Sequence, residues 1–157
     1  MLRPAVDPGV SPSVQTEQHI AKADVVIAAI GQWPSFHDAE VLAFSLDRGS
    51  ETEPASPTAK MDVVWRLYEP RGEGTSAYRF ELVRSVVISL QFSGVSELDV
   101  GGFNQQNVID SIEVTPLRED DFDGLLVTVD PIFGFGGLWR CQVAEVAGVR
   151  SLFPPQG

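Results

Sequence analysis

A chain of 157 residues has the length of one ordinary domain and can bury a core without disulfides or a structural metal. Its 43% hydrophobic and 21% charged residues give a globular rather than a disordered profile, and its one cysteine, Cys141, rules out an internal disulfide and points to a reducing compartment. The formal net charge of −11 repels phosphate backbones, which argues against a nucleic-acid binder, and favours encounter with a basic protein.

The first residues, Met1 to Pro12, carry three prolines and little apolar periodicity, so residues 1–15 read as a flexible lead-in to one globular domain over 16–153. Met1 to Thr16 lacks the apolar core of a secretory signal. The longest apolar stretch, Val25 to Ile30, is too short to span a bilayer. The expectation is a soluble, cytoplasmic protein with no membrane partner.

From Thr16 to Ile30 the residues Ile20, Ala23, Ile27 and Ile30 recur at helical spacing. Gly31 and Pro34 then supply a stop, so the pattern predicts one amphipathic helix over that range.

After Pro34 the period falls to two. Leu42, Phe44 and Leu46 alternate with Ala43 and Ser45, and a Glu/Ser/Pro-rich loop follows from Ser50 to Thr58. Met61, Val63, Trp65 and Leu67 form the next alternation, and Val86, Ile88, Leu90 and Phe92 another. Ile112 with Val114, then Leu125, Val127 and Val129, then Trp139, Cys141 and Val143 complete the series. Half-apolar strands joined by short polar or glycine-rich turns, with no helix between them, predict an antiparallel sheet and exclude a parallel βαβ arrangement. The expected fold is α+β and mostly β: a single twisted antiparallel sheet of six to eight strands, with one N-terminal helix packed on it.

Two segments are dense in functional residue types. In Trp33 to Glu40, the side chains of His37, Asp38 and Glu40 are types that bind metals or move protons. The only other histidine, His19, has no matching ligand spacing, so the segment reads more simply as a helix-to-strand corner anchored by Trp33 and Phe36. In Gly101 to Asn107, two glycines and four amides, Asn104 and Asn107 among them, either stitch a loop together or face a partner.

Other segments are plainer. Phe133 to Gly137 is glycine-rich but lacks the Lys-Ser/Thr pair and following helix of a phosphate cradle, so it reads as a hairpin connection with aromatic plugs. Glu119, Asp120, Asp121 and Asp123 form an acidic run without calcium-loop spacing, a solvated turn that could meet a basic partner. No GxSxG, HExxH, CxxC or dinucleotide fingerprint occurs, so the sequence predicts no catalytic residues, no metal and no cofactor.

The block Trp33-Pro34-Ser35-Phe36-His37-Asp38-Ala39-Glu40-Val41, followed by Gly102-Phe103-Asn104-Gln105-Gln106-Asn107-Val108, resembles the bacterial immunity protein 50 family. The segments Gly136 to Cys141 and Val149 to Ser151 are similar to that family's final strands, so the resemblance runs from about Ala28 to Ser151. It implies a non-enzymatic protein of bacterial competition. Such a protein binds a cognate polymorphic toxin stoichiometrically in the cytoplasm. It supplies no catalytic residues to carry over.

The candidate contacts are therefore the acidic Asp38, Glu40, Asp120, Asp121 and Asp123, with Glu51 and Glu53, the polar His37, Asn104 and Asn107, and the aromatic Trp33, Phe36 and Phe103, if exposed. Two alternatives stand beside this reading. One is a small-molecule-binding β module with a pocket of His37, Asp38, Asn104 and Asn107. The other is a metal-dependent hydrolase using His37, Asp38 and Glu40.

Overall fold

The computed structural model describes residues 15–51 and 56–154. The expected lead-in lies almost wholly outside the described residues, and Glu53 lies outside them too. The elements in chain order are a 3-10 turn Thr16–His19, β1 (Ile20–Ala21), α1 (Ala23–Ile30), β2 (Glu40–Asp47), β3 (Thr58–Arg71) and β4 (Arg79–Ser93). They continue with β5 (Ser96–Gly101), β6 (Val108–Glu119), β7 (Phe122–Phe133), β8 (Gly136–Cys141) and β9 (Val143–Phe153). All nine strands join one sheet in the order β1-β9-β4-β3-β2-β6-β7-β8-β5. The protein is thus mostly β with one helix among the described residues, and the helix lies against β9.

Two expectations need correction. The sheet has nine strands rather than six to eight, and it is not wholly antiparallel, because β1 pairs with β9 in parallel. The helix does not begin at Thr16. Ile20 gives its backbone to Ala144 of β9, and Lys22 adopts a left-handed φ of 62°, which breaks any helical path through that point. The Thr16 hydroxyl oxygen accepts the Val114 backbone N–H of β6 at 3.1 Å, so the 3-10 turn is tied to a strand far away in sequence. The helix ends as its sequence requires: Gly31 is left-handed at φ 93°, and its N–H returns to the Ile27 carbonyl at 2.8 Å.

The sheet folds back on itself. The strands from β1 to β2 in that order form one wing and those from β6 to β5 the other. Among the described residues the only register pair joining the wings is Glu40 with Val108. In the sheet order β4 and β8 are five places apart, which in a flat sheet would separate them by about 24 Å. Yet the ring centroids of Phe92 on β4 and Trp139 on β8 are 5.1 Å apart, and Phe44 on β2 lies 5.4 Å from Trp139 and 5.0 Å from Phe135. The wings therefore face each other across a common core that includes Met61, Ile88, Leu90, Phe92 and Trp139. Burying these rings and aliphatic chains is the main force that holds the wings together.

Local irregularities shape the surface. The alternation expected for Leu42, Phe44 and Leu46 is interrupted by a bulge between Val41 and Ala43, so Val41 and Phe44 face the core while Leu42 is 46% exposed. Val143, expected to continue the inward row of Trp139 and Cys141, is 47% exposed because the chain breaks at Gln142 between β8 and β9. Strands β3 and β4 outrun their neighbours. β2 pairs with β3 only as far as Val64, and β9 pairs with β4 only from Ser85 onward. Residues 66–84 consequently form a two-stranded arm beyond the body of the sheet. No helix of the described residues is long and apolar enough to cross a membrane.

Candidate functional site

The two dense sequence segments meet where the wings join. Residues 33–39 make the corner between α1 and β2. Phe36 and Asp38 sit there at left-handed φ values of 62° and 65°, which turn the chain sharply away from the line of β2. β6 then runs on beside the corner: Asp38 N–H donates to the Ile109 carbonyl at 3.0 Å, Ile109 N–H to Ala39 at 2.9 Å, and Val41 N–H to Asn107 at 2.9 Å. This pairing brings Asp110 up to His37, a contact between residues 73 apart in the chain.

His37 Nδ1 lies 2.7 Å from Asp110 Oδ1, and its Nε2 lies 3.5 Å from Asp38 Oδ2. All three side chains are about half or more exposed. Because the two carboxylates take opposite nitrogens of one ring, they do not converge on a single point. Among the described residues no set of three His, Cys, Asp or Glu is placed to share a metal ion. Glu40, expected to complete such a set, turns elsewhere: one oxygen faces Arg66 at 3.8 Å and the other accepts the Asn107 backbone N–H at 3.4 Å.

Beside this cluster, where β3 and the corner diverge, lies a cleft of about 350 Å3 lined by His37, Asp38, Ala39, Trp65, Arg66 and Tyr68. It offers one carboxylate, Asp38, beside two aromatic side chains, while Arg66 already supplies a positive charge at its wall. The expected four-residue ligand pocket does not form as one site. His37 and Asp38 line the cleft, while Asn104 and Asn107 belong to the loop between β5 and β6.

Asn107 is 3% exposed and acts as the hub of that loop. Its Oδ1 accepts the backbone N–H groups of Asn104 at 2.9 Å and Phe135 at 3.2 Å. Its Nδ2 donates to the carbonyls of Asn104 at 2.8 Å and Val41 at 3.4 Å. Asn104, on the surface, accepts the Gln106 N–H at 2.9 Å. The amide cluster is thus the stitching that joins β2, β6 and the β7–β8 connection. Asn107 has no surface left for a partner. Phe36 must also be withdrawn as a contact: it is 1% exposed, packed edge-on against the half-buried Trp33 at 5.7 Å.

Phe103 is 51% exposed and caps a small apolar groove with Phe44, Val100, Gly101 and Phe135. The acidic run forms the β6–β7 hairpin, with Glu119 opposite Phe122 and Asp120 at φ 51° in the two-residue turn. Asp123 pairs with Arg118 at 3.3 Å and Glu119 with Arg140 at 3.6 Å. Asp120 and Asp121 have no ion pair among the described residues, so the turn keeps negative charge at its tip. Cys141 is fully buried, and desolvation pushes its thiol up to about 11, so it stays protonated and unreactive at neutral pH.

Sequence reasoning missed Asp110, Trp65, Arg66 and Tyr68 as neighbours of His37 and Asp38. Only the antiparallel pairing of the corner with β6 could have signalled Asp110, and that pairing leaves no mark in the local pattern.

The Immunity protein 50 family model matches residues 22–152, a span that contains the corner, the amide loop, the arm and all strands from β2 to β8. No curated protein and no solved structure matches the chain. With the match covering most of its length, the chain belongs to the immunity protein 50 family.

Proposed function

We propose that this protein neutralises a cognate toxin of a bacterial polymorphic toxin system by stoichiometric binding in the cytoplasm, without catalysis and with neither nucleic acid nor membrane as partner. The observation that carries the reading is membership of an immunity protein family over residues 22–152. The net charge of −11 supports a basic toxin surface as the complement, because opposite fields speed encounter and orient it.

The exposed acidic groups supply two places for such a surface: the cleft of Asp38, Trp65, Arg66 and Tyr68, with Asp110 beside it on His37, and the Asp120–Asp121 turn. His37 lines the cleft, Trp33 and Glu40 belong to the corner beside it, and Asp123 follows the turn; Asn104 and Phe103 would be separate contacts on the β5–β6 loop. A toxin arginine entering the cleft would meet carboxylate and ring faces together.

The test is co-purification with the toxin domain encoded beside the gene, followed by rescue of growth in cells expressing that domain. Failure of the wild-type chain to bind or rescue refutes the reading. Association should slow at least tenfold between low and physiological salt, since steering between exposed charges is screened; a salt-independent rate removes the electrostatic part.

A further inference from the structure

The arm formed by residues 66–84 has two unlike faces. Its register sets Tyr68 opposite Leu82 and Pro70 opposite Phe80, while Glu69 stands opposite Glu81 and Arg71 opposite Arg79. Successive pairs alternate sides, so beyond Leu67 one face is apolar and the other charged, while at the root Arg66 stands on the side of Tyr68 and Leu67 on the side of Glu69. The charged face satisfies itself: Arg71 reaches Glu69 at 3.1 Å and Glu81 at 3.3 Å, and Arg79 approaches Glu81 at 4.0 Å. The apolar face has no such closure. Tyr68 and Tyr78 are each 52% exposed and Phe80 is 65% exposed, with the rings of Tyr78 and Phe80 in edge contact at 5.9 Å. Phe153, opposite Ser85 at the root of the arm, adds another ring at 43% exposure. A two-stranded ribbon is marginal in water alone, and an exposed cluster of aromatic rings is a docking surface.

Charge decides what covers it. The whole chain carries −11, yet residues 66–84 hold four arginines against three glutamates and no aspartate or lysine. Two copies meeting through the acidic remainder bring strongly like charges together; two copies meeting here bring only one net positive charge each, the least repulsive contact. A basic partner, by contrast, is drawn to the acidic cleft and turn rather than to an arm of slight positive charge.

The area also fits. Aromatic residues of this kind present about 150–250 Å2 each, so four half-exposed rings offer roughly 400 Å2 per copy, about 800 Å2 in all, the size of a weak, reversible contact rather than of a permanent dimer.

We propose that the protein forms a symmetric homodimer through the apolar faces of its β3–β4 arms, Phe80 and Tyr68 of one copy packing on the same residues of the other. An isologous contact of uncharged, self-similar faces is the form such closure takes. The inference does not rest on the toxin reading, but Tyr68 also lines the cleft, so the dimer contact and a partner in the cleft would compete for that ring.

Sedimentation equilibrium of the purified full chain from about 1 to about 200 µM tests it. The expected result is a monomer–dimer equilibrium in the micromolar range, with dissociation at least tenfold weaker in Phe80→Arg and in Tyr68→Lys and unchanged in Asp120→Asn. Both substituted side chains are solvent-exposed, so far-UV circular dichroism should match wild type; if Phe80→Arg fails to fold, Tyr68→Lys carries the test. A chain monomeric throughout the range, or a dimer indifferent to both substitutions, overturns the proposal. A monomer whose toxin complex is lost on Phe80→Arg also overturns it and gives the arm to the toxin.

Discussion

Replacing Asn107 with alanine should be among the most damaging single polar substitutions in this protein, although the side chain is small and touches no hydrophobic core directly. Four backbone groups lose their partner together: the N–H groups of Asn104 and Phe135 and the carbonyls of Asn104 and Val41. The Phe135 bond is buried, as is the one to Val41, while the two to Asn104 are half-buried. Water can reach Asn104 and restore part of its bonding, so each of those contacts costs about 0.5 kcal/mol. The two buried groups carry a desolvation penalty of about 1–3 kcal/mol each, less at the long 3.4 Å contact. The expected loss is about 3 kcal/mol, a large share of the roughly 5–15 kcal/mol that stabilises a domain. In urea, with a slope of about 1.5–2 kcal/mol/M for a chain of this size, the midpoint should fall by about 1.5–2 M. Asn107→Asp should rescue little, because it keeps the acceptor but turns a buried carboxylate oxygen toward two carbonyls. A midpoint within about 0.3 M of wild type for Asn107→Ala would falsify the view that this amide holds the wings and the β7–β8 connection together.

Three further outcomes follow from particular side chains. The Trp139 Nε1–H is buried with no hydrogen-bond partner among the described residues. Trp139→Phe, which removes that orphan donor, should therefore cost only about 1–2 kcal/mol, against about 4 kcal/mol for Trp139→Ala, as read by urea unfolding. Cys141 has its thiol raised by burial from 9.0 to about 11. The unfolded chain then ionises first, so stability should hold below about pH 9 and fall as the pH climbs toward 11, a slope that Cys141→Ala removes when urea midpoints are compared across that window. Gly134 is left-handed at φ 90°, and a Cβ there would run into the Gln106 carbonyl and stand 2.8 Å from Asn107 Oδ1, so Gly134→Ala should lower stability by at least about 2 kcal/mol. An unaffected thermal midpoint for Gly134→Ala contradicts that packing.

The strands with clean alternation could be read directly from the sequence. Met61, Val63, Val86, Ile88, Leu90 and Phe92 obey a period of two because one side of each strand faces the core, but Val64 and Val87 are buried as well, and Leu67, read into the inward row, is exposed where the arm begins. The hairpin connection at Phe133–Gly137 and the turn at the acidic run were equally legible, since turn chemistry is local, but that the acidic turn closes a β6–β7 hairpin was not. What escaped was set by distant partners. β5 alternates only through Leu98 and Val100, too short a run to stand out, and Glu97 at φ 50° disturbs its pairing to β8. Ile20 fits a helical stripe on spacing alone, yet β9 claims its backbone. The site shows the same division: His37, Asp38 and Glu40 stood out by type, but which carboxylate meets the imidazole depends on β6, and Glu40 is drawn off by Arg66 and Asn107. Phe36 and Asn107 looked like contacts because polar and aromatic types mark interfaces and cores alike.

The place of β9 in the sheet sets a constraint on synthesis. β4 lies between β3 and β9, and β1 has no other strand neighbour than β9. A nascent chain leaving the ribosome can zip β3 to β4 early, but the far edge of β4 and the whole of β1 stay bare until residues 143–153 emerge. Until those residues are made the first wing exposes an unpaired, aggregation-prone edge on β4. Deleting residues 143–153 should therefore leave a chain with an open β4 edge rather than a smaller version of the same protein.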